Sequence, residues 1–370
     1  MPVPLLDLKA QHAQIKGAVL DAVHKVIDEQ YFILGPSVAA LEAEVAKLSQ
    51  TSHAIGCASG TDALLLAFRA LDIGRDDEVI TTPFTFFATA GTIHNVGARP
   101  VFADIEPDTF NLSPAAAAAA RTPKTKAVVP VDLFGQMAPI ERYAGLMPGL
   151  PIIEDAAQSI GARRRIDGDW TMAGERATIG TLSFFPTKNL GGYGDGGMMV
   201  TQDEAIATRL KTLRVHGGAR EYHHDEVGYN SRLDTLQAAV LLAKLPHLDA
   251  WSAKRREHAA YYDQALADVS AVRTPYVSPE NESIFNQYTI RAERRDELQA
   301  ALSAKKIGSK IYYPVPLHLQ PCFAYLGYRE GSFPESERAA REVLSLPIYP
   351  ELAESQLAEV ADAIRAFYGR

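Results

Sequence analysis

The chain offers one amine in an unusual setting. Lys188 lies in SFFPTKNLGGYGDGGMMV (183–200), after a short apolar run and before five glycines within nine residues. Such a lysine is either a solvated surface cation or a desolvated amine whose lowered pKa frees it for Schiff-base chemistry. The segment alone leaves both open. An acid and an amide lie upstream in LPIIEDAAQS (150–159). Asp155 falls just past an apolar run, where α/β proteins build ligand sites, and Gln158 follows about one helical turn later. Asp155 suits a helix cap equally well. In ASGTDALLLA (58–67) a Ser-Gly-Thr turn opens a helix. Its free N–H groups and hydroxyls suit an anion, or serve an ordinary N-cap. Phe86, in TFFAT (85–89), can stack on a planar ring or fill a core.

Read together, these features supply a phosphate cradle, a stacking ring, an acid, an amide and an amine. Pyridoxal phosphate requires that set. Its phosphate needs a helix N-terminus, its ring nitrogen an aspartate that keeps it protonated, and its aldehyde a lysine. The glycine stretch also satisfies G-x-G-x-x-G at Gly192, Gly194 and Gly197. That pattern binds dinucleotides only between a strand and a helix; here MMVT follows, which reads as strand, so the reading is rejected. The glycines let backbone approach a bound group, or turn a hairpin.

The elements that must position these residues alternate along the chain. From about 38 to 245, Val/Ile-rich runs (HAIGCAS, EVITT, ARPVFADI, AVVPVDLFG, LPIIEDAAQ) are separated by helical patterns (VAALEAEVAKL, TDALLLAFRAL, TFFATAGTIHNVG). That alternation predicts a mostly parallel sheet covered on both faces. TLSFFP and GMMVT read as strands around the glycines, and NSRLDTLQAAVLLAKL (230–245) as a helix. Residues 246–370, with the long charged helix near LDAWSAKRREHAAYYDQALAD, a strand in FNQYTIRA and helices in DELQAALSAKK and PESERAAREVLSL, form a smaller α+β domain; residues 1–245 form the large one. The first thirty or so residues carry no assignable pattern and are left open to either.

At 370 residues and 47% hydrophobic, the chain can bury a substantial core. A net charge of −8 disfavours nucleic acid or an anionic membrane surface as main partner. Cys57 and Cys322 are too few for a disulfide framework. The start has no signal-peptide pattern and no run is long enough to span a bilayer, which leads to the expectation of a cytoplasmic protein. His216, His223, His224, Asp225 and Glu226 cluster in a polar stretch without regular ligand spacing; a mobile or interface loop is favoured over a metal site. Cys57 reads as a small core residue.

The order and wording of SGTDAL, TFFATA, EDAAQSIGA, SFFPTKNLGGYGDGG and YNSRLD resemble the DegT family of sugar aminotransferases, from LLDLKAQ (5–11) to LPIYPEL (346–352). The resemblance implies the fold type I of pyridoxal-phosphate transferases, with a mostly parallel seven-stranded sheet. It implies Lys188 as the residue joined to the cofactor aldehyde, Asp155 at the ring nitrogen, Gln158 at the phenolic oxygen and Phe86 on the ring face. Gly60, Thr61 and Ser183 are implied as phosphate ligands, and Asn230 as a residue that reaches the neighbouring subunit's phosphate, hence a homodimer with shared sites. Arg232, Tyr313 and His318 are implied substrate contacts. The implied reaction moves an amino group from L-glutamate to a keto group of a UDP- or dTDP-linked sugar. Asn-Leu-Gly and Gly-Asp-Gly-Gly after the lysine are similar to the branch acting at C3 rather than C4. A dehydratase of this fold is similar but carries histidine in place of the lysine. A non-catalytic regulatory protein of the fold needs no electron sink. Neither suits Lys188 together with Asp155.

Overall fold

The structure is a computed structural model that describes residues 2–218, 220 and 222–370. Nine strands lie in its first 201 residues: β1 (His53–Cys57), β2 (Glu78–Thr81), β3 (Arg99–Phe102), β4 (Thr125–Val129), β5 (Ile153–Asp155), β6 (Arg163–Ile166), β7 (Asp169–Met172), β8 (Ile179–Ser183) and β9 (Gly197–Thr201). A block β1-β9-β8-β5 and a block β3-β2-β4 are joined by parallel bridges Val128–Ile152 and Val131–Asp155. The result is one seven-stranded sheet in the order β1-β9-β8-β5-β4-β2-β3. Only β9 runs against its neighbours.

Side chains alternate across this sheet as a strand period of two requires. Val79, Ile55, Val129 and Met199 enter a core with the helices Gly60–Ala70 and Glu204–Leu213. Their neighbours Ile80, Val128, Met198 and Val200 enter cores on the other face. Burial on both faces explains why these strands read as unbroken apolar runs.

A second core gathers Tyr262, Tyr288, Leu298, Leu344 and Ile364 with Val3. It is built on a small antiparallel sheet of Val272–Arg273, Tyr288–Ala292 and Val343–Leu346. The N-terminal residues divide between the two regions. Val3 bridges to Ile307, whereas the helix Leu8–Glu29 buries Ile15 and Val19 against Val240 and Trp251.

Two expectations are corrected, and one hairpin is added. In PESERAAREVLSL the helix ends at Glu342 and Val343–Leu346 is a strand paired to Tyr288–Arg291, because four consecutive buried residues suit a two-sided sheet position better than one helix face. In NSRLDTLQAAVLLAKL the helix starts only at Thr235. Asn230 and Asp234 instead bridge to Val215 and Ile33, tertiary contacts that local pattern does not report. RRRIDGDWTM is a hairpin, β6–β7, whose turn residues Asp167 and Gly168 have φ of 54° and 96°. That Asp-Gly signal was legible.

Candidate active site

The site lies at the C-terminal ends of β5 and β8, where the chain leaves the sheet. Ser59 caps the helix Gly60–Ala70 by accepting from the Asp62 N–H at 3.1 Å. The N–H groups of the first helical turn have no partner within the helix and point outward. Ser183, the last residue of β8, faces this helix start. A Cβ at Gly60 would stand 2.7 Å from Ser183 Cβ, so glycine is needed for the two elements to approach. Gly197 acts likewise: its Cβ would meet Ser59 O at 2.2 Å. None of the glycines from 191 to 197 has a positive φ. Gly191 and Gly197 serve close approach to the chain's own backbone at Pro186 and Ser59, Gly192 and Gly194 lie against the Gln237 side chain, and Gly196 borders the cavity described below.

The loop between β8 and β9 folds back on itself: Phe184 N–H donates to Gly196 O and Gly192 N–H to Phe184 O, each at 2.8 Å. Lys188 sits in this loop. Its Nζ makes no hydrogen bond or ion pair among the described residues. The side chain borders a cavity yet is enclosed by protein on most sides, and that lost hydration pushes its pKa down to about 8, with Asp155 opposing weakly.

Asp155 ends β5 and is buried. Its carboxylate accepts from Thr89 Oγ1 at 2.8 Å and Ala157 N–H at 3.3 Å. Burial raises its pKa, while Thr89, Ala157 and Lys188 pull it back. Gln158 Oε1 accepts from Phe134 N–H at 2.7 Å, and its Nε2 donates to the Tyr313 hydroxyl at 3.4 Å. Phe86, just before the helix Phe87–Asn95, keeps 59% of its surface exposed although it is a large apolar ring.

One cavity of about 460 Å³ is lined by Gly60, Thr61, Phe86, Asp155, Gln158, Ser183, Lys188 and Tyr313. The structure therefore brings these eight sequence candidates together. Asn230, Arg232 and His318 do not line it. Asn230 is exposed and Arg232 half-buried. The intervening Ser231 ties this segment to the phosphate-side helix, its hydroxyl donating to Asp62 at 2.6 Å and accepting from Ala58 N–H at 3.3 Å. The His318 assignment is corrected. Its side chain is fully buried, bonded to Glu337 at 3.0 Å and packed edge-on against Phe333, so it holds a loop instead of facing a ligand.

Sequence reasoning missed Thr89, which holds Asp155. Its place three residues after Phe86 at a helix start was the available signal. In the histidine-rich stretch, His224 Nδ1 contacts the His216 carbonyl and Glu226 pairs with Arg209.

An acid, an unpaired amine, an exposed ring and a helix start around one cavity form a donor set for a phosphorylated aldehyde. The pattern that decides the family extends beyond this set, because residues 13–365 match one family throughout. The chain belongs to the DegT/DnrJ/EryC1/StrS aminotransferase family. Among relatives, a pleiotropic regulatory protein of Geobacillus stearothermophilus is 51% identical, over 100% of this chain and 99% of that one. The UDP-N-acetyl-3-dehydro-α-D-glucosamine 3-aminotransferase of Acidithiobacillus ferrooxidans is 46% identical over 98% and 97%. The crystal structure of Streptomyces venezuelae DesV in complex with a ketimine intermediate superposes with a TM-score of 0.97 at 42% identity, covering 100% of this chain and 99% of that one. That of Bacillus subtilis NtdA with bound cofactor PMP gives 0.91 at 27%, covering 100% and 86%. The mostly parallel seven-stranded sheet is the fold type I arrangement expected of the DegT family.

Proposed function

We propose that this chain is a pyridoxal-phosphate aminotransferase that places an amino group on C3 of a nucleotide-linked keto-sugar, with L-glutamate as donor. The observation that carries the reading is the unpaired Lys188 amine sharing one cavity with buried Asp155 and the capped start of the helix Gly60–Ala70. The C3 preference rests on likeness to the Acidithiobacillus enzyme, whose name specifies a 3-dehydro sugar and 3-amination.

The residues fit the cofactor. Gly60, Thr61 and Ser183 would hold its phosphate, Phe86 its ring face, Asp155 its ring nitrogen, Gln158 its phenolic oxygen and Lys188 its aldehyde carbon. When bound, pyridoxal phosphate supplies an electron sink that permits loss of a proton from an amino acid's α-carbon. With a pKa of about 8, Lys188 is partly neutral near pH 7, so its Nζ can take a proton at the substrate carbon and return it. Burial works against the Asp155 charge, the Thr89 and Ala157 hydrogen bonds favour it, and a protonated ring nitrogen beside it would favour it further. Tyr313, beside Gln158, closes the substrate side, and Asn230 reaches the site of a partner copy.

Replacing Lys188 with Ala tests this reading. Turnover of UDP- and dTDP-linked 3-keto sugars with glutamate, followed by mass spectrometry against a 4-keto panel, should fall by at least about 10³-fold. Wild-type turnover in the variant refutes the assignment. The regulatory name carried by the Geobacillus relative motivates a second reading, a binding-only protein; it requires that glutamate leave the cofactor's absorption unchanged.

A further inference from the structure

Beneath the cavity floor lie two acids that the proposed reaction does not use. Glu154 precedes Asp155 on β5 and so points to the opposite sheet face. Asp132 follows β4. Both are fully buried. Asp132 Oδ1 accepts from Ala138 N–H at 2.7 Å and its Oδ2 from Ser159 Oγ at 2.6 Å. Its own N–H donates to the Asp155 carbonyl at 3.0 Å. Asp132 is thus bonded to both ends of the turn Asp155–Ser159, which carries Gln158.

Glu154 Oε2 accepts from Gly174 N–H at 3.0 Å. Its Oε1 is buried and has no donor. The parallel bridge Val131–Asp155 sets Asp132 beside the Glu154–Asp155 end of β5, where its charge opposes ionisation of Glu154. Two carboxyl groups bond only if one carries a proton. A proton on Glu154 Oε1 directed at Asp132 satisfies the orphaned oxygen and supplies Asp132 with a third donor. The surroundings agree: Asp155 acts on Asp132 and Glu175 on Glu154, each with like charge. No ion pair to either acid exists among the described residues. Burial also pushes both carboxyls upward.

We propose that Asp132 and Glu154 share one proton, held on Glu154, and that the pair is a positioning device that fixes the Asp155–Gln158 turn while sparing the floor a third negative charge. Asp155 is then free to be the charged acid of the site. This last role rests on the proposed function; the shared proton does not.

Glu154→Gln keeps the donor toward Asp132 and the acceptor for Gly174 but cannot ionise. A folded glutamic acid held neutral binds a proton that the unfolded chain releases above its ordinary pKa. Wild-type stability must therefore fall relative to Glu154→Gln as pH rises from about 5 to 8, by up to about tenfold in the folding equilibrium per pH unit. Urea unfolding of both cofactor-free proteins at one protein concentration measures this; a pH-independent difference overturns the shared proton. Should the variant not fold, infrared spectra of wild-type protein containing ¹³C-glutamate decide it. A protonated-carboxyl band persisting at pH 8 supports the proposal, and its absence refutes it. The positioning half is read on holoprotein. Glu154→Met, of similar length but without a donor, should shift the pH at which the cofactor's absorption titrates, whereas Glu154→Gln should not. Equal titration in the two variants overturns it, without bearing on whether Lys188 holds the cofactor.

Discussion

The contact between Gly60 and Ser183 gives the sharpest test of the cradle. In Gly60→Ala the new Cβ would stand 2.7 Å from Ser183 Cβ and 3.2 Å from Ser183 Cα, where ordinary contact begins at 3.4 Å. The helix start and the end of β8 must part by about 0.7 Å. The backbone of Gly60 carries no positive φ, so strain is confined to this contact. Overpacking of this kind costs about 1–3 kcal/mol. The same shift draws the helix-start N–H groups off a bound phosphate. A hydrogen bond to a charged group is worth about 1.5–3 kcal/mol, so losing one weakens cofactor binding about 10- to 100-fold. Titration of cofactor-free protein with pyridoxal phosphate, read by absorbance, measures the change. Gly60→Ala combined with Ser183→Gly removes the opposing Cβ and should recover part of the folding stability in urea unfolding, but not the affinity, because the Ser183 hydroxyl is itself a proposed phosphate ligand. Wild-type affinity in Gly60→Ala refutes the cradle, and no recovery of stability in the pair refutes the clash.

Three further outcomes are expected. Capture of pyridoxal phosphate by cofactor-free protein needs the neutral Lys188 amine, so its rate should rise with pH and level off above about 8; stopped-flow absorbance across pH 6–9.5 reports this, and a flat profile contradicts a titrating Lys188. Thr89→Val removes the hydroxyl that donates to Asp155 Oδ2, a bond that lowers the carboxyl's pKa. The acid limb of the pH–rate profile should then move to higher pH, by up to about one unit for a bond of about 1.5 kcal/mol, and an unmoved limb argues against a charged Asp155. His318→Ala opens a buried space and strands Glu337, so it should cost about 1–3 kcal/mol in urea unfolding while KM for the sugar nucleotide stays put; a raised KM with unchanged stability would return His318 to the substrate.

The sheet was legible because its strands are buried on both faces, which leaves unbroken apolar runs between helical patterns. The amine, the acid, the amide and the cap were legible because each sits at the end of such a run, where backbone direction places it at one edge of the sheet. Chain-local signals did not reach the rest. His318 and Tyr313 belong to one segment, yet one side chain turns into the cavity and the other into a loop core, a choice made by Phe333 and Glu337. The strand Val343–Leu346 was hidden behind a helical pattern until its partner Tyr288–Ala292 was in place. The glycines after Lys188 announced close approach but not to what, since the atoms they meet lie in Ser59, Pro186, Leu233 and Gln237. Residue types and their order along the chain fixed which chemistry was available here. Packing across the sheet decided which groups share a dry cavity and which acid must hold its proton, because desolvation and hydrogen bonding depend on neighbours distant in sequence.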